Sequence, residues 1–317
     1  MANEYFIPST VDTAALTMSL ADYRPQLTDN VYNDVVVLKL ANEAGRKRLI
    51  NGGGSIVELV VKSKQNAGGF YLGSDVLNTN QPSSTTQCEF KWQDAYEPIQ
   101  ITRDEERQNS GDMHKIIDLV GAKAQLSELA IKDRMDQALT TPVADAHLLI
   151  DLETLVNTGT LGSIAGGTDT FWQSTVTTSG AFVSQGLTDM ATATYAVSAA
   201  ATVDNPTVYL TTKTVFQRFE QTRLPLERIQ DTLTANAGFK NLTFKGVPII
   251  YGNYVSSGLM FGLNFNYINL AVDTETDFVI TPFVMPSNQT VKTAFILWRG
   301  NLTTNNRRRH FKLTSIT

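Results

Sequence analysis

Residues 113–140 read MHKIIDLVGAKAQLSELAIKDRMDQALT. Ile117, Val120, Ala124, Ile131, Met135 and Ala138 fall along one line at helical spacing, and Leu119, Leu126, Leu129 and Ala130 widen that stripe. Lys115, Lys123, Glu128, Lys132, Asp133 and Asp136 occupy the rest. Asp112 is placed to cap the start, and Pro142 discourages continuation. The spacing predicts one helix from about Met113 to Thr140, roughly 40 Å long at 1.5 Å per residue. Globular helices average about 11–12 residues, so this one reads as a structural strut.

Upstream, Ile56–Lys62 reads as a strand, and Cys88–Gln93 alternates apolar and polar residues as a strand with one buried face. Ile99 and Ile101 continue it after Pro98. Between the strands, Ser63–Gln87 is rich in Asn, Gly, Ser, Thr and Gln. Ordinary hairpin loops have about 2–5 residues, so this polar connection reads as a functional or partner-stabilised loop. Gly52-Gly53-Gly54 reads as a hinge at its foot. Val31–Leu49 is a helical candidate weakened by the β-branched Val35-Val36-Val37. The first thirty residues read as an extended arm with one short helix before Pro25.

Downstream, helices are expected at Asp145–Val156, Gly186–Ala201, Lys213–Gln221 and Leu226–Leu233, with a loop at Thr158–Gly180 carrying Phe171-Trp172. Thr207–Leu210 reads as a short strand. From Leu242 the pattern changes to strands: Phe244–Tyr251, Leu259–Leu263, Tyr267–Val272, Phe278–Met285 and Val291–Trp298. An alternating Phe311-Lys312-Leu313 follows Arg307–His310. Helices and strands are segregated, which favours α+β.

The bulk properties exclude several classes. Of 317 residues, 42% are hydrophobic and 18% charged, enough for a sizeable core. No window carries the ~18 apolar residues of a membrane helix, and the polar Met1–Leu20 does not read as a secretory signal. The lone Cys88 excludes an intrachain disulfide. A net charge of −5 does not suit a protein that seeks DNA by charge. His114, His147 and His310 lack metal-ligand spacing. No Gly-x-Ser-x-Gly elbow occurs, and Gly52-Gly53-Gly54-Ser55 lacks the lysine of a phosphate loop. Asp104-Glu105-Glu106 reads as a solvated helix start. No catalytic, cofactor or metal site is predicted. Arg307, Arg308 and Arg309 read as a solvated turn, with contact to nucleic acid or to a neighbour's acidic surface as the functional alternative.

This order of elements resembles the major capsid proteins of tailed bacteriophages, the Hong Kong 97 fold. Phe244-Lys-Gly246-Val-Pro248-Ile-Ile250 is similar to a segment frequent in that family, as is the run from Gly166 to Trp172. The resemblance implies an N-terminal arm (1–52), an extended β-hairpin loop (53–102), and a peripheral domain with the long spine helix (103–140). An axial domain (141–273) and return strands of the peripheral domain (274–317) would follow. It implies a homo-oligomer of hexamers and pentamers in an icosahedral virion shell, assembled in a host cytoplasm. Its partners would be a portal, a separate scaffolding protein and packaged double-stranded DNA, with no membrane. The loop Ser63–Gln87, with Phe90, Trp92, Lys123, Lys132, Asp136 and Arg307–Arg309, would lie at subunit interfaces. Some members link a loop lysine to a neighbour's asparagine; Lys62 or Lys64 with Asn288 or Asn301 would be the residues, against a default of ordinary surface side chains. An encapsulin-type nanocompartment shell shares the fold and is the alternative. A surface adhesin and a hydrolase are further rivals, opposed by the long helix and by the missing nucleophile and metal motifs.

Overall fold

The structure, a computed structural model, describes residues 30, 35–62, 69–77, 83–108, 113–142, 149–199, 204–223, 242–287 and 289–317. Most of the expected arm, Asp112, His147 and the candidate helix Leu226–Leu233 lie outside them.

The strands in chain order are β1 (Lys47–Ile50), β2 (Ile56–Val61), β3 (Thr85–Phe90), β4 (Gln93–Thr102), β5 (Thr175–Thr178), β6 (Val208–Thr211) and β7 (Thr243–Phe244). They continue with β8 (Val247–Tyr251), β9 (Met260–Leu263), β10 (Ile268–Asp273), β11 (Val279–Ile280), β12 (Val291–Thr304) and β13 (Phe311–Thr314). A first sheet runs β1-β10-β12-β11, with β4 paired along β12. A second runs β5-β13-β9-β6-β8-β7, and β2-β3 stand apart as a two-stranded hairpin. Every residue of β10 is buried, as expected of a strand covered on both faces.

The long helix spans Met113–Thr140, as the periodicity predicts. Its Val120, Ala124, Ile131, Met135 and Leu139 enter the core formed with Ile99, Ile101, Ala294, Ile296 and Trp298. Thr102 and Glu105 turn β4 toward this helix through a capping box over the helix Arg103–Gln108. Glu105 N–H donates to the Thr102 hydroxyl (3.3 Å), and the Glu105 carboxylate accepts from Thr102 N–H (3.0 Å).

Several local expectations are corrected. Val31–Leu49 is not one helix: Val36–Glu43 is helical and β1 follows. Gly45 at φ +65° ends the helix in a Schellman motif, with Arg46 N–H reaching back to Ala41 O (2.9 Å). The expected loop Thr158–Gly180 contains β5, which lies parallel to β13. The helix expected from Asp145 shrinks, within the described residues, to one turn, Leu152–Leu155, capped by Asp151. Ile150 N–H is instead held by the Asn301 side chain (3.0 Å). Phe278–Met285 keeps only β11 and a bridge at Val284, because Pro282 and Pro286 remove donors. The segment Cys88–Ile101 is two strands: β3 ends at Phe90, and β4 leaves the hairpin for the edge of the first sheet. There it pairs only with β12, so Pro98 breaks no ladder. Phe244–Tyr251 splits at a two-residue turn in which Lys245 (φ 52°) and Gly246 (φ 80°) both have positive φ, as a type I′ turn requires.

Strand membership also cuts across the boundary expected between 273 and 274. β10 lies in the first sheet beside β12, whereas β13 crosses into the second.

Candidate inter-subunit interface

β2 and β3 pair from Ile56↔Phe90 to Val61↔Thr85. Alternation turns Ile56, Val60, Cys88 and Phe90 into the body. The same alternation turns Val57, Leu59 and Val61 out to solvent. Gly162 (φ 61°) lets the loop Leu161–Ile164 approach β3 closely: a Cβ there would lie 2.3 Å from Cys88 Sγ. Burial pushes the Cys88 thiol up to about 11.

Beyond the hairpin strands, the described part of the connection is apolar. Phe70, Tyr71, Leu72, Val76 and Leu77 are all exposed, Phe70 and Val76 almost completely. Asp75 folds the stretch into a turn, its carboxylate accepting from Leu72 N–H (2.9 Å) while its own N–H donates to Leu72 O (3.1 Å). The sequence reading treats Ser63–Gln87 as polar. The Phe70-Tyr-Leu-Gly-Ser-Asp-Val-Leu77 run was the available signal, diluted by its polar surroundings.

Among the described residues the long helix also presents an apolar face without a partner. Leu126 and Leu129 are 63% and 60% exposed, although the sequence reading counts both in the buried stripe. Their places facing the core are taken by Ser127 and Glu128. Ser127 donates to Pro98 O (3.1 Å), and Glu128 pairs with Lys132 (2.7 Å). Leu126 borders a groove of ≈ 260 Å³ whose wall also includes Glu97, Pro98, Gln100 and Lys123.

The residues singled out from sequence divide. Lys123 reaches Glu105 (2.7 Å), and that contact with the Thr102 bonds holds the Glu105 carboxyl down at about 2. Lys132 lies against the helix surface on Glu128, with little exposure. Asp136 is half-buried, and burial followed by the nearby Asp133 raises its pKa. Phe90 is buried within its own chain because its register opposite Ile56 turns it inward. Trp92 is half-buried under the Arg299 guanidinium, 5.5 Å from the ring.

The arginine run is not a solvated turn. Arg307 is 1% exposed and donates to the carbonyls of Leu155 (2.7 Å), Thr154 (2.7 Å), Gly159 (2.5 Å) and Trp172 (3.4 Å). Burial pushes its pKa down to about 10. Its guanidinium is engaged inside the chain and does not face a partner. Arg309 pairs with Asp204 (3.2 Å) and donates to Val197 O (2.7 Å), leaving Arg308 as the exposed member. Asn301 is likewise buried, its amide donating to Lys91 O (2.8 Å), so it is closed to a cross-link. Asn288 and Lys64 lie outside the described residues.

Among the described residues no group of three or more His, Cys, Asp or Glu side chains could hold a metal. No helix of the described residues is long and apolar enough to cross a membrane. His310 is fully buried, and burial followed by Arg307 pushes its pKa down to about 3.

No protein-family model matches the sequence, and no curated protein matches it significantly. Solved structures do match. The capsid of cyanophage A-1(L) shares 15% identity at a TM-score of 0.61, covering 87% of this chain and 93% of that one. The capsid of Myoviridae phage XM1 shares 12% at 0.55, covering 84% and 87%. This chain has the tailed-phage capsid fold. The fold extends beyond phages: the SrpI encapsulin of Synechococcus elongatus PCC 7942 shares 11% identity at 0.55, covering 86% and 85%. Met113–Thr140 and the hairpin β2-β3 are the elements in which the sequence reading expects a spine helix and an extended loop.

Proposed function

We propose that the chain is the major capsid protein of a tailed phage, building hexamers and pentamers of an icosahedral shell around double-stranded DNA. One observation carries the reading. Among the described residues the chain closes a large core, yet the extended loop and the outer spine helix each keep an apolar surface without a partner. Large exposed apolar surface marks an interaction site. Two different surfaces that fit each other on neighbouring copies make a heterologous contact, which closes into rings when the rotation permits. The loop of one copy lies across the spine helix of the next, with Phe70, Leu72 and Val76 against Leu126 and Leu129. A portal and a separate scaffolding protein complete the assembly in the host cytoplasm, and the finished protein resides in the virion. We assign the chain no reaction. The axial domain (about 141–273) would face the capsomer centre.

The second reading is an encapsulin-type compartment enclosing a protein cargo. The SrpI encapsulin matches over a similar share of the chain, which keeps this reading open. Electron microscopy of the purified protein, alone and co-expressed with its neighbouring reading frames, separates the outcomes. Uniform shells or capsomer rings are expected. Nuclease-protected DNA in those shells marks the phage reading; a stoichiometric protein cargo marks the compartment. A monodisperse monomer under every condition, with Ser63–Gln87 resistant to protease, would sink both.

A further inference from the structure

The hairpin has no ladder that fixes its direction. Neither β2 nor β3 pairs with a strand of either sheet. Its chain connections are Gly52-Gly53-Gly54, with φ of +58° and +106° at the first two, and the two-residue link Lys91-Trp92 before β4. The apolar contacts of Ile56, Val60 and Phe90 seat the hairpin on the body, but burial of apolar surface is non-directional. The polar contacts of β3 are long. Cys88 Sγ lies 3.5 Å from Leu161 O, and Glu89 N–H donates to Ser163 Oγ at 3.3 Å.

Glu58 differs. It sits mid-β2 on the inward face, with 6% of its side chain exposed. Its Oε1 accepts from Arg48 Nη1 (2.6 Å), from the Thr303 hydroxyl (2.8 Å) and from Asn269 Nδ2 (3.3 Å). Arg48 belongs to β1, Asn269 to β10 and Thr303 to β12, which are three successive strands of the first sheet. One carboxylate oxygen therefore ties the hairpin to a rigid platform by charge-assisted, directional bonds.

We propose that Glu58 is the orientation latch of the extended loop: it sets the angle at which the hairpin leaves the body, about the Gly52–Gly54 and Lys91–Trp92 links. Removing the Glu58 carboxylate removes these directional bonds and leaves the hairpin seated by apolar contacts, which do not fix an angle. The loop of a latched chain presents its tip at one place. Under the shell reading, on which this consequence rests, that place fixes where the next copy joins and hence how uniform the shells are.

The test measures distances within single chains by pulsed electron spin resonance. Labels go on Val76→Cys at the exposed tip and Gln125→Cys on the exposed spine face, with labelled chains diluted in unlabelled protein. The buried Cys88 stays unlabelled. The parent should give one narrow distribution. Glu58→Met should widen it about two-fold or more, and Arg48→Met and Thr303→Val, each removing one donor, should widen it less. Parent-like widths in all three variants, or a parent already as broad as Glu58→Met, would overturn the latch. If Glu58→Met does not fold, the two donor variants decide in the same way. Because the readout is intramolecular, an absence of shells would sink the capsid reading and leave the latch standing.

Discussion

β2 and β10 are both six-residue strands, and β2 (IVELVV) is the more apolar of the two. Yet β10 (INLAVD) is buried at every position, while every second residue of β2 faces solvent. Composition does not account for this; connectivity does. β10 lies between β1 and β12 with the helix Val36–Glu43 against it, whereas β2 has only β3 beside it and, among the described residues, nothing over its outer face. The body buries most of its apolar surface, Leu126 and Leu129 on the long helix being among the exceptions. The hairpin carries apolar surface that no part of the described chain covers.

That contrast predicts a gradient of stability effects. The largest belongs to Arg307→Ala, which leaves four carbonyls of the body without their donor. A loss of about 3–5 kcal/mol in urea unfolding is expected, and a loss below about 1 kcal/mol would mean that the cage carries little of the body. Next comes Gly262→Ala on β9, where a Cβ would meet the Phe311 ring at 2.1 Å. Overpacking should cost about 1–3 kcal/mol by the same measurement.

The third effect is pH dependence through His310. Its folded pKa of about 3 lies below the ordinary 6.5, so the unfolded chain binds the proton first. This group contributes no loss above pH 6.5. Below it, stability falls by up to about 1.4 kcal/mol per pH unit until the folded pKa is reached. His310→Gln, which keeps an acceptor for the Asn264 N–H, should flatten that slope; an unchanged slope assigns the acid sensitivity elsewhere.

The smallest effect on stability is expected at the loop tip. Phe70→Ser combined with Leu72→Ser should leave the unassembled protein within about 0.5 kcal/mol of the parent. The same pair should abolish ring and shell formation in sedimentation velocity. Normal assembly of this variant would break the comparison between body and hairpin, because the exposed tip would then have no partner to lose.

Much of the frame was legible in sequence because it rests on local periodicity. The spine helix needs only its own repeat, and β2, β6, β9 and β10 are short apolar runs between turns. What escaped depends on distant partners. β1 reads as the tail of a helix until Gly45 is recognised as a terminator, and it becomes a strand only by lying parallel to β10, more than two hundred residues away. β5, a run of Thr and Val in a polar loop, needs the edge of β13. Of the interface, the existence of a long loop and a strut was readable, but not which side of the strut faces out. Leu126 and Leu129 look like core residues until Ser127 turns inward to Pro98 O and Glu128 is buried beside Lys132. Arg307 reads as surface for the same reason: nothing local announces four carbonyls contributed by residues 154–172.

The position of β12 and β13 has a consequence in time. β12 is the strand that β4, β10 and β11 all pair with, and β13 is what joins β5 to β9. Both follow every other described strand in the chain, so neither sheet can close until residues 291–314 have left the ribosome. Pairings this distant in sequence are slow to form, and domains fold as units once their last element is available. Under the shell reading, translation order thus acts as a timer: a nascent chain has no finished body on which a neighbour could dock, and copies would become competent to meet only after synthesis has passed the last of these strands.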